Sequence, residues 1–375
     1  MRIHRMAYLL VATMVLLGGC SDDSSPSPDS GAPDSVVPDG AIPDGPGTCV
    51  EVVTQNLTQP TTWKTGCVYL IEAFNFYVND TLTIEPGVIV KLHETKGPEL
   101  LLGGSGTIMA QGTASDPIIF TSWKDDSQGG DTNQDGAATS PAAGDWDSVA
   151  TNGLNGSTFE HCHFYYGGGG SYHTTLDLSG SVATVKSCLF VHNKGGKEGC
   201  CYYGALHAGD ALEGTVIQDN TFHDNVLPLS IDLTYSIDDS NTFHDPSDTT
   251  KTNQYNGVFL NTSSDFDKAI AWDETEVPFV VNDNDLWVNS GASLTLADNV
   301  AIKFTTDSVL LHDGTNLLNH AGTGVVFTSY KDDTVKGDTN GDQAATSPAD
   351  NDWGGIYNNA TSVYEAWSNI HYDSH

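Results

Sequence analysis

Two acidic segments hold the side chains whose types and spacing are best suited to chemistry. In both, carboxylate and amide residues alternate along the chain. They are Asp131, Asn133 and Asp135 in the first segment, and Asp338, Asn340 and Asp342 in the second. Closely spaced carboxylate and amide oxygens in a tight turn suit calcium, a hard cation that takes about six to eight oxygen ligands. The spacing therefore predicts one calcium site in each segment.

Further ligands are expected from aspartates that flank each turn. The twelfth position of an EF-hand loop is a bidentate glutamate, but here it holds Ala142 or Ala349, so neither segment is a full EF-hand. The flanking candidates are Asp125, Asp126 and Asp145 in the first segment and Asp332, Asp333 and Asp352 in the second. Of these, we assign Asp145 and Asp352 as metal ligands. Gln343 stands where the first segment has Gly136, which makes the second site the weaker expectation, and the alternative for both is an Asx-rich turn without an ion.

The acidic segments belong to a long internal repeat. Residues 120–146 and 327–353 align at an offset of 207 positions (327 − 120), and 19 of the 27 aligned positions are identical. Trp63 and Trp272 open the two copies. We therefore predict one unit at 48–271 and a second, incomplete unit at 272–375.

A shorter motif recurs between the two acidic segments and indicates the fold. In each copy an asparagine or cysteine stands two residues before a phenylalanine. The pairs are Cys162 and Phe164, Cys188 and Phe190, Asn220 and Phe222, and Asn241 and Phe243. Strand alternation places both members of a pair on the same face. Short β-rich segments at this spacing predict an all-β solenoid in which phenylalanines stack in the core and asparagines bond along the axis. The alternative is an array of β-sandwich domains, for which the 21-residue step from Asn220 to Asn241 is too short.

Three strings within the first unit suggest a family. LTIEPGVIVKL (82–92), DPIIFTSWKDD (116–126) and GDTNQDG (130–136) resemble the right-handed parallel β-helix repeat proteins of bacterial surfaces, within the pectate-lyase-like superfamily. The resemblance covers most of residues 63–375. It implies a right-handed parallel β-helix on the cell surface, and it says little about activity because this fold hosts many functions.

The N-terminus predicts secretion and lipidation. Arg2 and Arg5 precede a short apolar run at 6–17, which is followed by the sequence Leu-Gly-Gly and then Cys20. This order is typical of a secretory signal peptide, and its ending resembles the lipobox of bacterial lipoproteins. We predict a signal peptide at 1–19 and lipidation of Cys20. The alternative is an ordinary secretory signal with a chance cysteine.

The residues after Cys20 predict a spacer. Residues 20–47 are rich in proline, aspartate, serine and glycine, a composition with too little apolar surface to fold. Ser21 follows the lipidated cysteine, where an aspartate would have indicated retention at the inner membrane. We therefore expect an outer-membrane lipoprotein, held by its lipid anchor, with its folded part at the cell surface or on the periplasmic face.

Charge restricts the partners. The formal net charge is −35, and removal of the signal peptide with its two arginines makes it −37 (−35 − 2). Nucleic acid is excluded as a partner, because phosphate binding needs a basic surface. Anionic polysaccharides are disfavoured unless cations bridge them.

Six cysteines remain after Cys20, and in a secreted chain an oxidising compartment allows them to form disulfides. We expect Cys49 and Cys67 to form a disulfide at the start of the fold. The other four allow three pairings. They are Cys162, Cys188, Cys200 and Cys201. The alternative for Cys162 and Cys188 is that they are small buried hydrophobic residues.

No residue is assigned a catalytic role. The resemblance implies that lyases of this fold use an arginine as the base, yet the predicted mature chain has none. The Gly-His-Gly and Arg-x-Lys motifs of polygalacturonase-like sites are also absent. Other candidates are the carboxylate pairs Asp238/Asp239 and Asp265/Asp267, the His223-Asp224 and His244-Asp245 dipeptides, and His161 with His163. All of these are more typical of exposed polar faces and turns.

These observations favour a non-catalytic cell-surface β-helix lipoprotein for adhesion or glycan contact, with calcium stiffening its acidic loops. Its partners would be a glycan or a surface protein. The alternative function is a carbohydrate-active enzyme, either a polysaccharide lyase or a glycoside hydrolase. A third is a structural component of the envelope.

Overall fold

The computed structural model describes residues 49–375 except for residue 74, 94–99, 103–105, 152, 155, 199–200, 210–211, 262–264 and 283. The predicted signal peptide, Cys20, the 20–47 linker and Cys200 lie outside the described residues. All regular structure in the described part is β-strand. No helix there is long and apolar enough to span a membrane.

Thirty-four strands follow one another along the described chain. In the first half these are β1 (Cys49–Val53), β2 (Thr61–Trp63), β3 (Cys67–Ile71), β4 (Phe76–Val78), β5 (Thr81–Ile84), β6 (Ile89–Leu92), β7 (Leu100–Leu102), β8 (Thr107–Gln111), β9 (Ile118–Ser122), β10 (Val149–Ala150), β11 (Ser157–Glu160), β12 (Cys162–Tyr165), β13 (Leu176–Asp177), β14 (Ala183–Lys186), β15 (Leu189–Val191), β16 (Gly196–Glu198) and β17 (Cys201–Tyr203). In the second half they are β18 (Leu206–Ala208), β19 (Val216–Gln218), β20 (Thr221–His223), β21 (Leu229–Asp232), β22 (His244–Asp245), β23 (Asp248–Thr252), β24 (Val258–Asn261), β25 (Ala269–Trp272), β26 (Phe279–Val281), β27 (Leu286–Trp287), β28 (Ser293–Leu296), β29 (Ala301–Phe304), β30 (Val309–His312), β31 (Leu317–Leu318), β32 (Val326–Ser329), β33 (Gly355–Asn358) and β34 (Val363–Tyr364).

The strands assemble into long parallel sheets, because each coil of the chain adds one strand to each face. Sheet A is seven-stranded, with the order β1-β3-β6-β9-β12-β15-β20. Sheet B is ten-stranded and runs β4-β7-β10-β13-β18-β21-β24-β26-β29-β32. Sheet C is six-stranded and runs β2-β5-β8-β11-β14-β19. The predicted fold class, an all-β parallel solenoid, is confirmed.

A column of stacked phenylalanines fills the core behind sheet A, as the short repeat predicts. The rings of Phe120, Phe164, Phe190, Phe222 and Phe243 lie in consecutive coils and are all 0% exposed. Their centroids are 4.9, 4.8, 4.9 and 5.4 Å apart along the column, and each pair is stacked. Large aromatic side chains thus bury their area against identical neighbours, which holds successive coils in register.

Asparagine ladders bond the coils along the axis, and the predicted one is present. Asn220 Nδ2 donates to Asn241 Oδ1 at 3.0 Å, and Asn220 Oδ1 accepts the amide of Cys188 at 3.0 Å. A second ladder, which the sequence reasoning missed, joins the buried side chains of Asn193, Asn225 and Asn253 in consecutive coils. Each ladder satisfies buried polar groups that would otherwise cost stability.

The cysteines divide into two kinds. Cys49 and Cys67 form the expected disulfide, which ties β1 to β3. Cys162 and Cys188 are buried without a disulfide bond and pack in the core beside the phenylalanine column. The structure therefore confirms the alternative given for Cys162 and Cys188, that they act as small buried hydrophobic residues.

The two long repeats occupy neighbouring faces of one solenoid. In the first repeat each coil runs through sheets C, A and B, and β6 lies in sheet A. In the second repeat each coil runs through sheet D (β25-β28-β31), sheet B and then sheet E (β27-β30-β33-β34), and β29, the counterpart of β6, lies in sheet B. An isolated bridge joins Ile237, in the coil after β21, to Trp272 of β25 in sheet D. The repeat has therefore moved by one face around the axis, and the boundary drawn at 271/272 falls inside β25.

Candidate functional site

Each acidic loop projects from the end of a buried strand. The first acidic loop (residues 123–146) follows β9 of sheet A, and the second (residues 330–353) follows β32 of sheet B. Each loop ends in a tryptophan that is 1% exposed and donates its indole N–H to a backbone carbonyl. Trp146 bonds the oxygen of Tyr165 and Trp353 that of His371, both at 2.8 Å. Both loops are therefore anchored to the core at both ends.

The aspartate that opens each turn organises the backbone around it. Asp131 accepts hydrogen bonds from the amides of Asp135 and Gly136, at 3.2 and 3.0 Å. In the second loop Asp338 accepts from Asp342 and Gln343, at 3.3 and 2.8 Å. These are Asx-type turns, in which a side-chain oxygen replaces a backbone acceptor. Gln343 adopts a φ of 54° in place of the 63° of Gly136, so the turn closes without glycine there.

The third aspartate of each turn is held by a threonine. Asp135 accepts the amides of Ala138 and Thr139, at 2.8 and 3.0 Å, and also bonds the Thr139 hydroxyl. The Thr139 hydroxyl, with these amides, lowers the pKa of the Asp135 carboxyl. Asp342 is held in the same way by Thr346, which lowers its pKa as well. Both carboxyls are therefore kept ionised.

A carboxylate triad forms in each loop when a further aspartate joins these two. The triads are Asp126, Asp131 and Asp135 in the first loop, and Asp333, Asp338 and Asp342 in the second, and in each the candidate ligand oxygens lie within 4.8 Å of one another. Burial and the neighbouring Asp131 raise the pKa of Asp126, and burial and Asp338 do the same to Asp333. Oδ1 of Asp126 and Oδ1 of Asp333 are both buried and find no donor within the described part of the chain. Such an oxygen is costly unless a partner arrives.

A buried lysine supports each loop from below, which the sequence reasoning did not anticipate. Lys91 is 0% exposed, and its Nζ donates to the carbonyl oxygens of Asp125 and Gly130 and to Thr132 Oγ1, at 2.9, 2.7 and 3.0 Å. Lys303 donates to the carbonyl of Gly337 and to Thr339 Oγ1. Burial lowers the pKa of both lysines, that of Lys303 to about 8. The available signal was the similarity of Val-Ile-Val-Lys at 88–91 to Val-Ala-Ile-Lys at 300–303, upstream of the two acidic segments.

Asp145 and Asp352, assigned above as metal ligands, lie outside the triads. Asp145 accepts from Ser122 Oγ at 2.8 Å, from Lys124 Nζ at 3.0 Å and from the amide of Ala142 at 3.0 Å. Asp352 makes the equivalent bonds to Ser329, Lys331 and Ala349. These carboxylates close the base of each loop through an ion pair. Asp126 and Asp333, named only as flanking candidates, stand in the triads instead.

The predicted amide ligands lie beside the triads. Asn133 Nδ2 donates to Asp135 Oδ2 at 3.0 Å, and Asn133 Oδ1 faces the amide of Asp135 at 3.4 Å. Asn340 makes the same contacts with Asp342, at 3.1 and 3.2 Å. Six of the eight predicted metal ligands are therefore grouped in two clusters of three, each completed by one further aspartate.

The remaining histidine and carboxylate candidates are not brought together as sites. His223 Nδ1 bonds Asp224 at 2.8 Å, whereas His244 Nδ1 bonds Glu276 at 2.7 Å. Asp238 and Asp239 hold turns and neighbouring coils, through contacts with Gln218 and Thr275. His163 lies 3.1 Å from the Tyr165 hydroxyl. Across the described residues, no cluster of three potential metal ligands contains a histidine.

Comparisons of the chain with protein-family models, with curated proteins and with solved structures find no match.

Proposed function

We propose that this chain is a secreted surface lipoprotein whose parallel β-helix contacts glycans or surface proteins without catalysis, and whose acidic loops each hold one calcium ion. The observation that carries the proposal is the repeated triad with a buried carboxylate oxygen, Oδ1 of Asp126 in one loop and of Asp333 in the other, for which none of the described residues supplies a donor. The arrangement recurs on two different sheets, which argues against a single accidental cluster of surface acids.

Calcium fits the donor set. Three carboxylates and one amide side chain supply only oxygen atoms as metal ligands. Such a set suits a hard cation and not zinc or copper. Their mutual repulsion is relieved when a divalent cation enters. The charge of Lys91 offsets part of this repulsion from below, but its ammonium donates its hydrogen bonds to two backbone carbonyls and a hydroxyl and not to the triad carboxylates. Rotation of the Asn133 amide by half a turn would place its oxygen where Nδ2 now lies, beside Asp135 Oδ2.

The proposed location rests on the N-terminal sequence and is supported by the disulfide. A bond between Cys49 and Cys67 suits an oxidising compartment. Substitution of Cys20 tests the anchor: Cys20→Ala should move the protein from the membrane fraction to the soluble fraction. If the variant still sediments with membranes, a lipid on Cys20 does not hold it there.

The proposed role is supported by the fold and by the lack of catalytic groups among the residues singled out. Ten parallel strands in sheet B create a long regular face, and the resemblance to surface β-helix proteins points the same way. Incubation of the folded chain with a glycan array, in calcium and in chelator, tests contact, and mass spectrometry of the eluates tests cleavage. We expect retained, intact glycans. Shortened or unsaturated products would favour the alternative, a polysaccharide lyase or glycoside hydrolase, and an array without any signal would refute glycan contact.

A further inference from the structure

A cleft of about 440 Å³ opens on the outer face of sheet B beside the β16–β17 hairpin. Strand alternation explains its floor. Leu176, Leu206 and Leu260 point into the core, so their neighbours Asp177, His207 and Asn261 point outward into the cleft. The wall carries two tyrosines, Tyr172 and Tyr203. None of the described residues that line the cleft belongs to either acidic loop.

The wall is a continuous aromatic surface. The rings of Tyr172 and Tyr203 have centroids 5.0 Å apart and an interplanar angle of 43°, and Tyr203 lies 4.7 Å from the ring of His207. Rings this close touch each other and leave no slot between them, so they do not form a cage around a cation. Tyr172 is 57% exposed, which is unusual for a large aromatic side chain. It presents a ring face on which an apolar surface can pack.

The floor offers a buried acceptor without a donor. Asn261 is only 8% exposed, and its Oδ1 finds no hydrogen-bond partner within the described part of the chain. Asp232, which pairs with Asn261 in the neighbouring strand, also has a buried oxygen, Oδ2, without a donor among the described residues. Buried acceptors are nearly always paired in folded proteins, because an acceptor that is left without a donor lowers stability. Hydroxyl donors supplied by a ligand would pair the acceptor that faces the cleft.

A glycine keeps the floor open. A Cβ at position 209 would lie 2.5 Å from His207 Nε2 and 3.2 Å from Asn261 Nδ2. Any side chain there would fill the space in which the histidine and the asparagine meet. His207 is oriented from the other side, because its Nδ1 lies 2.7 Å from the Ser230 hydroxyl. The polar groups of the floor are thus fixed before a ligand arrives.

We propose that this cleft binds a neutral sugar residue, whose C–H face packs on Tyr172 and whose hydroxyls donate to Asn261 Oδ1 and to the Asp177 carboxylate. An anionic ligand is disfavoured because the described residues lining the cleft include a carboxylate and neither lysine nor arginine. A sugar supplies in one group the apolar face and the array of donors that the wall and floor require. The inference rests on the proposed glycan contact and assigns it a place.

Titration of the whole chain with neutral methyl glycosides of glucose, galactose, mannose and N-acetylglucosamine, followed by ligand-observed NMR, tests the proposal. At least one should bind saturably. Tyr172→Ala should weaken it by about tenfold or more, which equals a loss of ~1.4 kcal/mol, while Tyr172→Phe keeps the ring and should bind nearly as well as the native chain. Asn261→Ala should also weaken binding, with its fold checked by melting. Because the Tyr172 side chain is exposed, its substitution should leave the fold intact, so a loss of binding by these variants reports on the cleft.

The matched control is Trp287→Ala. Trp287 is 41% exposed on β27 of sheet E, outside the cleft, and its loss should leave glycoside binding unchanged. If the array retains glycans but Tyr172→Ala binds them as well as the native chain does, the cleft assignment is wrong and glycan contact lies elsewhere. If neither the array nor any glycoside binds, the proposed glycan contact itself fails, and the cleft assignment fails with it.

Discussion

The two acidic loops have nearly the same sequence and the same internal bonds, yet they stand on different sheets. The first reads DTNQDG and the second DTNGDQ, so glycine and glutamine have exchanged places. Both positions have left-handed backbone in both loops, with φ between 54° and 70°. The turn is therefore determined by the aspartates and their amide donors. The backbone of the turn by itself accepts a glutamine at either left-handed position.

The neighbours decide where the glycine must stand. A Cβ on Gly341 would lie 2.9 Å from the Tyr255 ring and 3.2 Å from the carbonyl oxygen of Gln254, whereas a Cβ on Gly136 would meet no atom of the described residues within 4 Å. The second loop is packed against the adjacent coil, and Lys336 also ties it to the carbonyl of Thr275. Asp338 is accordingly half-buried where Asp131 is exposed. The loop expected to be weaker because of Gln343 is the more shielded of the two.

The largest expected loss of stability in this comparison comes from truncating the tryptophans at the loop ends. Trp146→Ala and Trp353→Ala should each cost about 3–5 kcal/mol of unfolding free energy, as truncation of a buried aromatic does. Denaturant unfolding measures both. The replacements Trp146→Phe and Trp353→Phe keep most of the volume and should cost less. A cost below about 1 kcal/mol for one tryptophan alone would show that the two loops are not anchored alike.

The second effect tests the junction at which the repeat moves to the next face. Glu276 Oε1 accepts from the amide of Phe243 and thereby caps the end of the sheet A column, and Glu274 lies buried in the same corner. Burial raises the pKa of Glu274 to about 8 from its ordinary value of 4.5. The native state therefore holds a proton that the unfolded state has lost between these pH values, so stability falls as pH rises from about 4.5 to about 8.

Glu274→Gln should remove this dependence. Between pH 5 and 8 the native chain should lose up to about 4 kcal/mol relative to the variant, because each unit of pKa shift corresponds to ~1.36 kcal/mol. Unfolding at several pH values, in a fixed calcium concentration, measures the difference. Glu276→Gln, half-buried in the same corner, is the matched control. Parallel pH profiles for the native chain and Glu274→Gln would mean that the buried carboxyl does not titrate in this range.

The third and smallest effect compares the stability cost of an added methyl group at the glycine of each turn. Gly136→Ala should cost about 1–2 kcal/mol, the penalty of left-handed backbone for an L residue. Gly341→Ala should cost about 1–3 kcal/mol more, because it also overpacks against Tyr255. Melting of both variants in chelator, where no bound ion contributes, provides the comparison. Equal losses would contradict the tighter packing of the second loop.

Much of the fold could be predicted from the sequence, because the core motif is local. The phenylalanine two residues after Cys162, Cys188, Asn220 or Asn241 identified the column and one ladder. The move to the next face could not be predicted, since it depends on how the coil containing Ile237 and Phe243 closes on distant strands. The same holds for the cleft, whose tyrosines and Asn261 are far apart in sequence.

The candidate metal sites were predictable only in part. The alternation of Asp131, Asn133 and Asp135 marks oxygen ligands directly. The choice of Asp145 over Asp126 could not be made from spacing, because both flank the turn. What separates them is Lys124, which pairs with Asp145 across the base of the loop, while Oδ1 of Asp126 has no donor among the residues that the structure describes.

Calcium titration by isothermal calorimetry tests the central claim most directly, on the chain with its disulfide intact. We expect two sites in the native chain, one in Asp126→Asn, one in Asp333→Asn and none in the double variant, with Asp307→Asn at an exposed turn as the control for lost charge. In chelator the Asp126→Asn and Asp333→Asn variants should melt no lower than the native chain, because each relieves a crowded carboxylate. At a hundredfold excess of calcium over the dissociation constant each intact site should add about 2.7 kcal/mol. Titrations without heat, together with melting curves that superimpose in calcium and in chelator, would contradict the account and leave two Asx-rich turns.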